Sequence, residues 1–264
     1  MNFLQNLVKI HGKLHTEWGI MQAIILAGGL GTRLASVLNG SPKPMADING
    51  KPFLEFVLDF LLSQGVDSVV LALSYKYELI QKHFGKHYKN IALSYSIEST
   101  PLGTGGALRQ ALTKCDESEI FVCNGDTLFE ISFSKLAEFK HKIKDSKLCI
   151  ALKTMQKFDR YGSIQCDENG FIRAFKEKEF CKKGLINGGI YLVDRDIFSP
   201  HLCVNFSENF REKFEAKIEG KFSFEEFLQE YFECLKASAC VFDGYFIDIG
   251  VPKDYQKARE NLSG

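Results

Sequence analysis

The chain has 264 residues, of which 45% are hydrophobic and 25% are charged, and its 33 basic side chains balance 33 acidic ones. A chain of this length can bury a large core, and its zero net charge excludes the general electrostatic attraction on which nucleic-acid-binding proteins depend. No run approaches the roughly 18 uninterrupted apolar residues of a membrane helix, so we expect no membrane partner. The eight cysteines form no CxxC pair and mostly lie in apolar segments, which indicates reduced thiols and a cytoplasmic protein.

Residues 1–20 differ in character from the rest of the chain. They carry apolar residues at helical spacing, interrupted by Lys9, Lys13 and Glu17, and they lack the continuous apolar core of a signal peptide. Met21 is followed directly by the strand-like run QAIILAGG, as expected if the natural protein began at Met21. We therefore predict that residues 1–20 are an extension outside the fold and that residues 21–264 form a single domain.

From Met21 onward, short apolar runs alternate with segments of helical periodicity. The pattern predicts strands at residues 23–26, 68–73, 91–97 and 119–123, and helices at residues 52–62, 75–84 and 106–112. This alternation is typical of a parallel sheet with helices on both faces. Such sheets bind ligands at the carboxyl ends of their strands, where the glycine-rich loop after residue 26 and Asp126 are both expected.

The second half of the chain has a different pattern. Short apolar runs separated by turns predict strands at residues 148–152, 163–165, 171–175 and 189–193, continuing the first sheet. Residues 207–221 are expected to form a solvated helix or loop, and a capping box of Ser223 and Glu226 opens a helix that runs to about Lys236. The predicted fold is α/β and Rossmann-like, with three layers and a mixed, mostly parallel central sheet.

The segment GGLGTRLASVLNGSPKPM, residues 28–45, directly follows the first predicted strand. It is not a Walker A motif, because no GK[ST] follows its glycines, and it is not the dinucleotide fingerprint, because Leu34 stands at the third glycine position. The glycines alone are equally typical of a tight structural turn. Together with the guanidinium of Arg33 and the ammonium of Lys43, however, the backbone amides of such a turn indicate a phosphate-binding site.

The sequence GGxGTRL followed by PKP resembles the opening signature of the sugar-1-phosphate nucleotidylyltransferases. The resemblance continues in family order to residue 257, through ESTPLGTGG, NGD, YG, EK, NGG and FIDIG. Within the family, the segments GSPKPMADINGKPFLEF, YSIESTPLGTGGAL, FDRYGSI and FSFEEFLQE look most like the bacterial guanylyltransferases that act on D-glycero-α-D-manno-heptose 1-phosphate and serve capsule or surface polysaccharide synthesis.

The resemblance implies attack of a sugar 1-phosphate oxygen on the α-phosphorus of a nucleoside triphosphate, with release of pyrophosphate. The nucleophile is already an anion, so no general base is needed, and catalysis consists of positioning and charge neutralisation. The residues that match the family's catalytic groups are Arg33, Lys43 and Asp126, and the match makes Asp126 and Asp248 the ligands of a Mg²⁺ cofactor. Taken alone, Asp126 would more simply be a turn residue and Asp248 an ordinary loop acid.

The family match also assigns substrate-binding residues. For the nucleotide they are Leu26, Ala27, Gly28, Gly29, Gly31, Thr32, Arg33, Lys43, Glu98, Pro101, Gly103, Thr104 and Gly125. For the sugar phosphate they are Gly162, Glu177, Lys178, Asn187 and Gly188. The family often has proline after the Glu-Lys pair, whereas Glu179 follows here.

Glu98 bears on the choice of nucleobase. Guanine presents two donors, N1–H and the 2-amino group, which a carboxylate can accept, whereas uracil and thymine present one donor flanked by acceptors. Glu98 therefore favours GTP, although it could also be an ordinary acid at a strand end. The expected partners are GTP and a sugar 1-phosphate, and a homodimer is left open.

Four other functions compete with the heptose 1-phosphate guanylyltransferase. Mannose 1-phosphate could be the acceptor, or UTP or dTTP the donor, within the same family. The chain could instead be a non-catalytic nucleotide-sugar sensor, against which the retained Arg33, Lys43, Asp126 and Asp248 argue. A dinucleotide-dependent oxidoreductase is disfavoured by the missing third glycine.

Overall fold

A computed structural model describes residues 19–29, 31–38 and 40–262. The proposed N-terminal extension therefore lies outside the described residues except for Gly19 and Ile20, and its separation from the fold stays a prediction, as does the single domain over residues 21–264. Within the described ranges, no helix combines the length and apolar character of a membrane span.

Helices and strands alternate through the first half of the chain and strands dominate the second. The strands are β1 Gln22–Leu26, β2 Asp47–Ile48, β3 Lys51–Pro52, β4 Ser68–Leu73, β5 His87–Tyr88, β6 Ile91–Ile97, β7 Glu119–Asn124, β8 Thr127–Phe129, β9 Leu148–Phe158, β10 Ser163–Cys166, β11 Ile172–Lys176, β12 Cys181–Asp194, β13 Ser238–Phe242 and β14 Phe246–Asp248. The α-helices are α1 Ala35–Leu38, α2 Phe53–Ser63, α3 Tyr77–Phe84, α4 Gly103–Leu112, α5 Phe133–Lys142, α6 Glu208–Glu219, α7 Phe224–Tyr231 and α8 Pro252–Asn261. Short 3₁₀ turns occupy Thr32–Leu34, Lys43–Met45 and Pro200–Cys203.

One ten-stranded sheet joins the two halves, in the order β11-β10-β12-β7-β1-β4-β6-β5, with β9 beside β12 and β13 beside β9. Its central strands β7, β1, β4 and β6 are parallel, and β12 runs antiparallel to β7. The later strands thus extend the same sheet, as the sequence predicts. A separate pair of strands, β8 and β14, stands next to the end of β7.

The core lies on both faces of the sheet. Along β1, Ala23 and Ile25 belong to one cluster of buried side chains and Ile24 to the other. Successive residues of a strand point to opposite faces, so a fully apolar strand must be covered twice. This arrangement produces the three layers that the alternating sequence predicts.

Several predicted boundaries differ from the structure. The run predicted at residues 148–152 is only the first part of β9, which extends to Phe158. The run 189–193 is only the apolar end of β12, whose more polar part from Cys181 pairs with β9 as an exposed antiparallel ribbon. Helix α4 begins at Gly103 rather than residue 106. Helix α7 ends at Tyr231 rather than near Lys236, and turns continue from there to Lys236, whose backbone is left-handed (φ 46°), before β13 begins.

Candidate active site

The carboxyl ends of β1 and β7 lie side by side, since Leu26 pairs with Asn124. The loop after each strand therefore enters the same region. The amide of Gly125 donates to the carbonyl of Leu26 at 2.9 Å, and a Cβ on Gly125 would lie 2.9 Å from the Cβ of Ala27. Only glycine allows this close approach, which brings Asp126 next to the glycine-rich loop.

A cavity of about 460 Å³ opens at this edge of the sheet. Most of the residues predicted to bind the nucleotide line it, namely Leu26, Ala27, Gly28, Gly29, Lys43, Glu98, Pro101, Gly103, Thr104 and Gly125. The structure does not bring Gly31 or Arg33 into this lining, and the side chain of Thr32 lies outside the described part of the structure. We call this space the nucleotide cavity.

Gly31 does not line the cavity but packs against Lys43, which does. Its backbone is left-handed (φ 61°), and a Cβ there would lie 3.0 Å from the Cβ of Lys43. Glycine adopts this conformation without steric cost and leaves room for the lysine stem. Lys43 itself is only 8% exposed, so its ammonium is directed inward.

Lys43 lies between the two aspartates that the sequence singles out. Its Nζ is 2.5 Å from Oδ2 of Asp126 and 3.9 Å from Oδ1 of Asp248. The two acids meet because β8, which follows Asp126, pairs with β14, which ends at Asp248. Burial, together with the negative charge of Asp126, raises the pKa of Asp248, while Lys43 and the amide of Gly250 oppose that rise.

Two carboxylates close enough to share one ammonium concentrate negative charge at one point, and an additional cation would stabilise them. Their oxygens are the hard donors that a divalent cation such as Mg²⁺ prefers, and Mg²⁺ commonly takes only one or two carboxylates besides phosphates and water. Asp126 and Asp248 therefore fit such an ion. No cluster of three or more potential ligands occurs among the described residues.

A second cavity, of about 260 Å³, adjoins the first. It is lined by Gly162, Glu177, Lys178 and Asn187, which are four of the five residues predicted to bind the sugar phosphate. The fifth, Gly188, faces away, since a Cβ there would lie 2.4 Å from the ring of Phe129. We call this space the sugar cavity.

Arg33 lines the sugar cavity rather than the nucleotide cavity, and it is exposed. Asn124, Asp126 and Glu225 line both cavities. The two spaces thus meet at Asp126, beside Lys43 and Asp248. Two phosphorylated substrates could lie here with their phosphates adjacent.

Glu98 is partly buried and lines the nucleotide cavity. Its Oε2 accepts a hydrogen bond from the amide of Leu102 at 2.7 Å, which leaves Oε1 for a ligand. Burial raises the pKa of Glu98, whereas the Leu102 amide and the positive charge of Lys221 lower it. A Cβ on Gly28 would lie 2.9 Å from Oε1, so the glycine keeps this oxygen accessible.

Several residues of the site are absent from the sequence-based prediction. Lys221, Ser223, Phe224 and Glu225 line the nucleotide cavity, and Arg160, Tyr161, Glu225 and Gln229 line the sugar cavity. Tyr161 donates to Oδ2 of Asp248 at 3.1 Å, and Arg160 contacts both Tyr161 and Asp254. Lys221 directly precedes the motif FSFEEFLQE, and the other residues of these two sets lie within FDRYGSI or FSFEEFLQE. Only the tertiary fold shows that they face the cavities.

Two adjoining cavities that meet at a buried lysine and two aspartates fit an enzyme with two phosphorylated substrates, and comparison with known proteins gives the class. Residues 22–263 match the nucleotidyl transferase family, to which the chain therefore belongs. The chain is 53% identical over 235 residues, 89% of its length and 97% of the relative's, to the D-glycero-α-D-manno-heptose 1-phosphate guanylyltransferase of Campylobacter jejuni. It is 44% identical over 243 residues, 92% of its length and 98% of the relative's, to the enzyme of the same name from Aneurinibacillus thermoaerophilus.

A solved structure is also similar to this chain. HddC from Yersinia pseudotuberculosis, crystallised in complex with GMP-PN, matches with a TM-score of 0.75 and 38% identity, over 92% of this chain and 100% of that chain. The predicted family and the α/β fold with its mixed sheet are confirmed.

Proposed function

We propose that this protein transfers GMP from GTP to D-glycero-α-D-manno-heptose 1-phosphate, forming GDP-D-glycero-α-D-manno-heptose and pyrophosphate. The observation that carries the proposal is the meeting of the two cavities at Asp126, in a chain 53% identical to a heptose 1-phosphate guanylyltransferase. We assign the product to capsule or surface polysaccharide synthesis and the enzyme to the cytoplasm, in keeping with its eight free thiols.

The chemistry follows from the charges at the junction. An oxygen of the sugar phosphate attacks the α-phosphorus of GTP, and the bond to the departing pyrophosphate breaks as the new P–O bond forms. Lys43, which lines the nucleotide cavity, neutralises the reacting phosphate in this proposal, and Arg33, which lines the sugar cavity, adds positive charge from that side. Asp126 and Asp248 would hold Mg²⁺, whose positive charge offsets the negative charge of the phosphates when it is bound.

Substrate selection is divided between the cavities. Oε1 of Glu98 is available to accept from the donor edge of guanine, since Oε2 is occupied by the Leu102 amide. Glu177 and Asn187 are suited to sugar hydroxyls, and Lys178 to the sugar phosphate. These assignments make GTP and the sugar 1-phosphate the two partners of the site.

A pyrophosphate-release assay tests the function. The purified full chain is supplied with GTP, ATP, UTP or dTTP in combination with heptose, mannose, glucose or N-acetylglucosamine 1-phosphate, with and without Mg²⁺. We expect the fastest release with GTP, heptose 1-phosphate and Mg²⁺, and a loss on the order of a hundredfold in Lys43→Ala. Release only with UTP or dTTP would overturn the proposal, and no release with any pair would favour the nucleotide-sugar sensor.

A further inference from the structure

Helix α7 contributes two polar side chains to the sugar cavity. Glu225 and Gln229 both line it, and Gln229 lines that cavity alone. They are four residues apart, so they lie one above the other on the same face of the helix. Both are exposed, and neither has a hydrogen-bond or ion-pair partner among the residues that the structure describes. A side chain in this state is available to a ligand.

The helix is held firmly against the sheet. Ser223 caps its first turn by accepting from the amide of Glu226, and the amide of Phe224 donates to Thr104 at 2.9 Å. Phe224 packs against Tyr191 of β12, with ring centroids 5.2 Å apart. Just beyond the helix, Phe232 meets Phe175 of β11 at 5.9 Å. Glu225 and Gln229 are therefore presented from a rigid element.

The charges of the sugar cavity indicate what these two residues contact. The aspartates and Lys43 mark the position of the reacting phosphates, and Arg33 and Lys178 add further positive charge for them. A carboxylate without a cationic partner repels a phosphate, so Glu225 suits the hydroxylated body of the sugar. Gln229 lies on the same helix face as Glu225, and both line the sugar cavity together with Phe175 of β11.

Heptose and mannose differ at the exocyclic end. Mannose has a single exocyclic hydroxyl, whereas the heptose has two on adjacent carbons. A carboxylate accepts from two neighbouring hydroxyls, and an amide one turn away can both donate and accept. We propose that Glu225 and Gln229 bind the exocyclic diol of the heptose and so select heptose 1-phosphate over hexose 1-phosphates. This inference rests on the proposed function and assigns its sugar specificity to one helix face.

Kinetic selectivity tests the inference. The variants Glu225→Gln and Gln229→Ala are assayed with GTP and either heptose 1-phosphate or mannose 1-phosphate, and kcat/KM is measured for both sugars. A hydrogen bond to a charged group contributes about 1.5–3 kcal/mol, so we expect the heptose value to fall by about tenfold to a hundredfold in Glu225→Gln. A smaller fall is expected in Gln229→Ala. The mannose value should change much less in both, and the KM for GTP should not change.

Glu226→Gln is the matched control. Glu226 is the adjacent exposed glutamate, lies 3.7 Å from Lys217 and lines neither cavity. This variant should keep the wild-type selectivity.

Three outcomes would overturn the inference. Equal losses with both sugars in Glu225→Gln and Gln229→Ala would show that α7 does not distinguish them. A raised KM for GTP with unchanged sugar selectivity would place Glu225 on the ribose. If the wild type did not turn over heptose 1-phosphate at all, the proposed function would fail as well, which separates that failure from the other two.

Discussion

At the scale of single residues, the structure sharpens the role of Glu98. The sequence identifies a carboxylate at a strand end, and the fold assigns its two oxygens different tasks. Oε2 anchors the following loop through the Leu102 amide, and only Oε1 is left to face a nucleobase. Under the proposed function, recognition of the base by Glu98 therefore depends on one oxygen atom.

Glu98→Gln should weaken GTP use and favour UTP. The amide oxygen of glutamine can keep the bond to Leu102, which turns its NH₂ group toward the base. That group would repel the N1–H and 2-amino donors of guanine and could donate to a carbonyl oxygen of uracil. We expect kcat/KM for GTP to fall by about tenfold or more and the GTP/UTP ratio to fall with it.

Glu177→Gln is the control for this measurement, because Glu177 lines the other cavity. This variant should raise the KM for the sugar 1-phosphate and leave the GTP/UTP ratio of kcat/KM unchanged. Parallel losses of GTP and UTP activity in Glu98→Gln would remove the argument for guanine recognition.

At the scale of elements, the nucleotide cavity depends on the contact between the start of α4 and the segment before α7. The amide of Gly105 donates to the carbonyl of Phe222, and the amide of Phe222 donates to the carbonyl of Leu102, each at 3.0 Å. Phe222 is 3% exposed, and a Cβ on Gly105 would lie 2.1 Å from its ring. This contact positions Lys221 and Ser223 at the cavity.

Gly105→Ala should lower stability and weaken nucleotide binding together. Alanine favours a helix interior by about 1 kcal/mol over glycine, but overpacking of a buried ring commonly costs about 1–3 kcal/mol and displaces the segment that carries Lys221. We expect a lower Tm by thermal unfolding and a raised KM for GTP. In Gly220→Ala the nearest atom is 3.7 Å from the new Cβ, so both quantities should stay at their wild-type values. A Gly105→Ala protein with unchanged Tm would contradict this packing argument.

At the scale of the whole molecule, β12 joins the early parallel strands to the later antiparallel ones. Its last residue, Asp194, pairs with Glu119, the first residue of β7. Lys140 of α5, only 4% exposed, reaches both acids with its Nζ 2.6 Å from each. A buried cation thus ties a helix to two strands, at the end of β7 away from the active site.

Lys140→Met should destabilise the protein without impairing catalysis. Its removal leaves two partly buried carboxylates with less compensating charge, although His141 and Lys147 still contact them. Breaking a buried ion pair commonly costs about 3–5 kcal/mol, and we expect the lower end of that range in chemical denaturation because both acids keep some exposure to water. The kcat of the folded fraction should match wild type.

The exposed pair of Lys236 and Asp145 provides the comparison for this variant. Lys236→Met should change stability by less than about 1 kcal/mol. Equal effects of Lys140→Met and Lys236→Met would show that Lys140 does not tie α5 to β7 and β12.

The sequence predicted those elements well whose formation depends on residues close together in the chain. Strand β6 spans residues 91–97 in both prediction and structure, because alternation and flanking turns are encoded within a few residues. The polar part of β12 was missed, since it becomes a strand by pairing with β9 rather than by its own apolar pattern. The end of α7 is also mispredicted, because turns rather than helix follow Tyr231 up to the left-handed backbone of Lys236.

The sequence by itself determined the family and the α/β fold and predicted residues for phosphate chemistry, because glycine-rich turns, short motifs and hydrophobic periods are local signals. Only the tertiary structure decided which of those residues meet. Lys43 and Asp126 are 83 positions apart and come into contact because β1 and β7 are neighbours in the sheet, while β14 brings Asp248 to the same point. The same long-range packing turned Glu225 and Gln229 toward the sugar cavity, which no periodicity along α7 could reveal.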